Sequence, residues 1–160
     1  MIAEQLMVQS AIGNWTRTIQ RVSSTFKVLP EAKFYETVAP GRNRLIYLLG
    51  HLTASNDGML PLLGFGPRLY PAFEETFLHR PDRSVDPLPS PAELLRCWVE
   101  VTNRLQDHFT SLTPSEWVQR HQAMTDEDYV KDPGRNRFAV LLNRTSHASF
   151  HLGQIILATK

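Results

Sequence analysis

Cysteine is almost missing from this chain. Cys97 is the only one among 160 residues, so no intramolecular disulfide can form, and the composition fits a reducing compartment. Cys97 itself reads as a small buried apolar residue. Long apolar runs are missing too. No stretch reaches the roughly eighteen residues of a membrane-crossing helix, which argues against a helical membrane protein. Nor is one sign of charge in excess: 17 Lys and Arg face 16 Asp and Glu, so the basic footprint of a nucleic-acid-binding protein is lacking. The opening MIAEQLMVQSAIGNW is amphipathic and carries Glu4, unlike the basic and then apolar start of a secretory signal. These absences predict a cytoplasmic protein with neither nucleic acid nor membrane as partner. Without disulfides the stability has to come from a core, and one domain spanning 1–160 is long enough to build one. A metal ion would then serve function before structure.

Helical periodicity is what the sequence does have. Val8, Ile12, Trp15, Ile19, Val22, Phe26 and Leu29 recur in steps of four and three, and Pro30 ends the run, the pattern of one long amphipathic helix. A second helix is expected to start at Asn43 as N-cap and to bury Leu45, Leu48, Leu49 and Leu52, with Gly58 and Pro61 ending or kinking it. Residues 64–89 are too rich in Gly and Pro for one long element, although AFEETFLH suits a short helix. Ser90, Pro91 and Glu93 then form a strong helix start, followed by the stripe Leu95, Trp98, Thr102, Leu105, Phe109 and Leu112. Thr113-Pro114-Ser115-Glu116 repeats that start before Trp117, and the acidic run Asp126 to Asp128 reads as a solvated loop. A last helix, from about Asn136 to Ala158, turns Phe138, Leu141, Leu142, Thr145, Ala148, Leu152 and Ile155 inward. The whole predicts an all-α protein: an antiparallel four-helix bundle with a long crossover between the second and third helices.

The pentapeptide PGRNR occurs at 40–44 and again at 133–137, each time before an apolar helical run, and reads as shared capping chemistry through Asn43 and Asn136. Arg44 and Arg137 fall in first turns, where the helix dipole disfavours a cation, so either an acidic partner or plain solvation has to accommodate them.

Chemistry concentrates in RTSHASFHLGQI. His147 and His151 are four residues apart, which on an α-helix stacks their rings on one face. Such a pair suits metal ligation and equally suits surface or hydrogen-bonded core histidines. A third ligand has to come from another helix, and His51 is the one histidine in the middle of a second apolar helix. Three neutral imidazoles suit zinc, nickel, copper or iron and leave coordination positions open. Gln154 shares the face of the pair and could hold a ligand histidine or a water, or simply pack as an interhelical amide. Gly153 suggests close approach of another helix. Arg144, one turn before His147, could meet a substrate carboxylate or cover apolar neighbours with its stem. Arg42, Arg44, Arg135 and Arg137 are further candidates for an anion. Asp57 reads as a helix-end residue, and His79, His108 and His121 as surface residues.

The mid-helix GHLTASN segment at Gly50-His51-Leu52 paired with the late HxxxHxGQI segment from His147 to Ile155 resembles the DinB-like superfamily of metal-binding four-helix proteins. The resemblance covers nearly the whole chain in element order, helix lengths and crossover, and only its histidine motifs are specific. It implies a divalent metal triad at His51, His147 and His151, with zinc, nickel or iron as the ion. It also implies, from family members that are S-transferases or isomerases, an enzyme that activates a low-molecular-weight thiol, with Arg144 holding a carboxylate. Metal-dependent hydrolysis and a non-catalytic bundle that binds a metal or small ligand stay open as other readings, as does a homodimer.

Overall fold

A computed structural model describes residues 2–160, and among them it is all-helical, with no strand beyond two isolated bridges, Thr37 with Arg44 and Arg120 with Asn136. Helix α1 spans Ile2–Lys27 and a 3-10 turn follows at Glu31–Tyr35. Helix α2, Leu45–Asp57, runs almost directly into α3, Met59–Leu63. The crossover carries α4, Ala72–Glu74, which continues into a π turn at Glu75–His79. Helix α5 is Pro91–Ser111, followed by the short α6, Pro114–Trp117, and α7, Asp126–Lys131; the chain closes with α8, Arg137–Ala158. Helix α1 lies against α8 and α5, and α2 against α5, α8 and the π turn.

The stripes read from the sequence build the core. Trp15, Ile19, Val22 and Phe26 from α1 meet Trp98, Leu105 and Phe109 from α5 and Leu141, Ala148 and Ile155 from α8, all buried. Trp15 stands edge-on to Phe109 at 4.9 Å, and Phe109 to Trp117 at 5.3 Å, arrangements that suit the ring quadrupoles. Helix α2 has no solvated face: every residue from Leu45 to Asp57 is buried except half-buried His51. A helix closed in on all sides is what makes a polar group on it costly unless it is partnered.

Helix starts follow local chemistry. The Ser90 hydroxyl accepts from the Glu93 N–H, Thr113 and Glu116 complete a capping box, and Asn136 accepts from the Ala139 N–H. The PGRNR repeat departs from expectation at its first copy. Helix α2 begins at Leu45, and Asn43 makes no cap. The carboxylate of Asp82, from the crossover, takes that place: it accepts the Arg44 backbone N–H at 2.7 Å and the Arg44 guanidinium at 2.7 and 3.0 Å. Asp86 adds a contact at 3.2 Å. Burial pushes the Asp82 carboxyl up, but the Arg44 guanidinium and N–H donors outweigh it and hold it below the ordinary range.

Three other expectations are corrected. Asp126 to Asp128 open helix α7, because Thr125 caps it and the acids suit its N-terminal dipole. Leu142 faces outward, 44% exposed, since it lies one residue past the inward Leu141 and about 100° further round the helix. Gly153 is exposed, and a Cβ there would meet nothing within 4 Å, so no helix presses on it.

The glycine that close packing does require is Gly50. A Cβ on it would lie 2.2 Å from the ring of Phe77, which is itself fully buried and cannot swing clear. Alanine ordinarily favours a helix interior over glycine by about 1 kcal/mol. Here the sign reverses: Gly50→Ala is expected to destabilise the protein by about 1–2 kcal/mol, read as a lower urea midpoint. A midpoint equal to or above that of the wild type would show that the Phe77 contact is not tight.

Candidate metal centre

Two helices bring the three histidines together. Helix α2 supplies His51 from its one half-buried position, and α8 supplies His147 and His151 one turn apart. The Nε2 atoms converge: His147 Nε2 lies 3.0 Å from that of His51 and 3.1 Å from that of His151. All three ligand atoms sit within 4.8 Å of one another, close enough to hold one metal ion. A tetrahedral ion with bonds of about 2.0 Å needs donors about 3.3 Å apart, near the observed spacing.

The other ring nitrogens decide what these contacts are. His51 Nδ1 lies 2.9 Å from the carbonyl oxygen of Phe77, and His151 Nδ1 lies 2.8 Å from Gln154 Oε1. An amide oxygen only accepts, so both Nδ1 atoms carry the proton and both Nε2 atoms carry lone pairs. His147 Nε2 has at most one proton to give, so neutral rings cannot satisfy both contacts by hydrogen bonding. A cation among them satisfies all three. His147 Nδ1 is buried without a partner.

Neutral rings are what the surroundings impose. Burial pushes the His147 pKa down to about 4, helped by His151, His51 and Arg144. Burial also lowers His51 and His151, against the opposing pull of the Phe77 carbonyl on the first and Gln154 on the second. The triad is therefore deprotonated at neutral pH, the state a metal needs.

The Phe77 carbonyl is available because the chain makes a π turn at Glu75–His79, and it also accepts from the Tyr47 hydroxyl at 3.3 Å. Tyr47 donates to the Arg80 carbonyl as well, at 2.6 Å, which clamps this part of the crossover onto α2. Asp57, the buried last residue of α2, accepts the backbone N–H groups of Leu69 and Tyr70 at 2.8 and 2.9 Å, the helix-end role expected of it.

Two cavities reach the triad, each of about 600 Å³. The first is lined by His51, His147, Arg68, Arg144, Ser55 and Gln122 among others. The second is lined by His151, Gln154, Arg42, Asn43, Leu48 and Phe150 among others. Neither lining includes an Asp or Glu. Arg144 is thus brought beside His147, while Arg44 is committed to Asp82 and Asp86, and Arg135 and Arg137 line neither cavity. His79 is exposed, His108 stacks on Phe65 at 4.5 Å, and His121 is half-buried; none joins the triad.

Over residues 14–155 the sequence matches the DinB superfamily. The chain belongs to that superfamily. A crystal structure of a conserved protein from Enterococcus faecalis has a similar fold, with a TM-score of 0.66 over 94% of each chain at 16% identity. No curated protein matches. For this DinB-superfamily chain, sequence reasoning missed Arg68, Tyr47 and Phe77. Phe77 acts on His51 through its backbone carbonyl, which no side-chain pattern advertises; Arg68 sits in the Gly/Pro-rich crossover, where periodicity is silent.

Gln154 offers a direct check on the site. Replacing it by Leu removes the acceptor that fixes the His151 ring, and is expected to weaken metal binding about 10–100-fold in a chelator-competition titration, with the thermal midpoint of the metal-free protein little changed. Unaltered affinity would show that the Gln154 contact does not orient a ligand.

Proposed function

We propose that this chain holds a divalent metal ion, zinc, nickel or iron, at His51, His147 and His151, and uses it to activate a low-molecular-weight thiol in an S-transferase type of reaction. The observation that carries the reading is the convergence of three Nε2 atoms beside an open cavity, two of them with lone pairs fixed by the hydrogen bonds of their Nδ1 atoms. Membership of a superfamily that is often metal-binding supports it, and the four long helices with the crossover between α2 and α5 support the antiparallel-bundle arrangement behind it. A divalent ion with three neutral ligands supplies a Lewis-acid centre that lowers the pKa of a thiol or a water.

The chain's own residues do the rest. Phe77 and Gln154 fix the two rings they touch, so the Nε2 atoms face one point without reorganisation. Leu62 and Leu78 give the cavity wall apolar surface for the body of a substrate. Thiol activation is favoured over hydrolysis by the missing carboxylates: hydrolysis calls for a proton acceptor near the open position, and neither cavity lining offers Asp or Glu. A thiol whose pKa is lowered by the ion would release its proton to solvent before reaction and attack as thiolate, with no base needed in the attack itself.

Cobalt-substituted protein, titrated separately with bacillithiol, mycothiol and glutathione, tests this reading. A sulfur-to-metal charge-transfer band appearing with one of the three is the expected result. Cobalt-loaded protein whose spectrum changes with none of them would defeat thiol activation.

A further inference from the structure

The first cavity holds a charge without a partner. Arg144 sits one turn before His147, its side chain more than half removed from solvent, and its Nε is buried with no hydrogen-bond partner. No carboxylate acts on it: burial and the neighbouring Arg68 guanidinium both push its pKa down, and nothing pushes it up. Arg137 is also half-buried with an unpartnered Nε, but it lines neither cavity at the triad, and two other half-buried arginines are neutralised within the chain. Arg44 is paired with Asp82 at 2.7 Å. Arg68, on the same cavity wall, gives one guanidinium nitrogen to the Ala54 carbonyl at 2.9 Å and another to Glu74 at 2.7 Å, so its charge is balanced from outside the cavity. An arginine always carries its charge at neutral pH, and a desolvated charge left unpaired is unfavourable. The site is therefore completed by an anion that the protein does not itself contain.

We infer that this cavity is a carboxylate subsite: the substrate of the triad is an organic acid whose carboxylate docks on Arg144 and whose other end reaches His51 and His147. The planar fork of Arg144 receives a carboxylate through two parallel N–H donors. Ser55 and Gln122 line the same cavity and offer neutral polar contacts to the rest of the molecule. The carboxylate belongs either to the thiol or to the group that accepts it. This assignment rests on the triad being the reaction centre, but the subsite itself is made of residues that bind no metal.

The test has two arms. In metal-free protein labelled with 15N, the Arg144 Nε–H resonance, identified by its loss in Arg144→Gln, is followed during titration with propionate and butyrate and with their methyl esters. The acids are expected to shift it saturably and the esters to leave it still. In cobalt-loaded protein, 3-mercaptopropionate is compared with its methyl ester. A preference of roughly tenfold for the acid, in line with a charge-assisted hydrogen bond, which is lost in Arg144→Gln and partly kept in Arg144→Lys, places the carboxylate on the thiol. Acids that shift the resonance without any acid preference in the thiol series place it on the acceptor instead, and the subsite stands. A resonance that no carboxylate moves, together with equal binding of acid and ester, overturns the subsite. Failure of cobalt to load at the triad would defeat the metal reading alone, because the first arm requires no metal.

Discussion

Two hydrogen bonds, from His51 Nδ1 to the Phe77 carbonyl and from His151 Nδ1 to Gln154, govern the rest of the centre. They place the ring protons of His51 and His151 outward and turn both Nε2 lone pairs on His147 Nε2, at 3.0 and 3.1 Å. Without them each imidazole could take the opposite tautomer or rotate away, and the cluster would be a set of ordinary polar contacts. With them it is a preorganised donor set in which neutral rings cannot make both His147 contacts as hydrogen bonds. The low His147 pKa of about 4 points the same way, since no imidazolium is present at neutral pH to donate from both ring nitrogens.

The crossover is the scaffold for those bonds. Asp57 at the end of α2 holds the chain at Leu69 and Tyr70, Tyr47 clamps it at Phe77 and Arg80, and Asp82 returns to the start of α2 at Arg44. A Gly/Pro-rich segment is thus tied to one helix at three levels, with buried or half-buried polar groups that are each partnered. Between these ties the π turn sets the Phe77 carbonyl on His51 and the Phe77 ring on Gly50. The two effects are linked, because only a residue without a side chain lets the turn come that close. Arg68 enters the cavity wall by the same route, held by the Ala54 carbonyl.

What could be read from the sequence followed from periodicity and from local chemistry. The stripes through Trp15 and Phe26, Trp98 and Phe109, and Leu141 and Ile155 located the long helices, and the HxxxH spacing put His147 and His151 on one face. His51 was legible by its place in an all-apolar helix and by the family resemblance. What escaped depends on contacts between distant segments. Asn43 looks like a cap and Asp82 does the capping, because a carboxylate 38 residues away carries a charge to match Arg44. Gly153 stands beside the histidine motif and touches nothing, whereas Gly50, one residue before His51, is under the Phe77 ring. Backbone acceptors such as the Phe77 carbonyl leave no mark on a side-chain pattern, so the interaction that fixes His51 could only be found in three dimensions.

Metal content is the most direct measure of whether these three Nε2 atoms face an ion. Elemental analysis of tag-free protein, wild type beside His51→Ala, His147→Ala and His151→Ala, should find about one divalent ion per chain in the wild type and little in any variant that remains folded, as expected of a site with three protein ligands. Negligible metal in the wild type after equilibration with zinc, nickel and iron(II), or equal metal in all four proteins, would contradict the account.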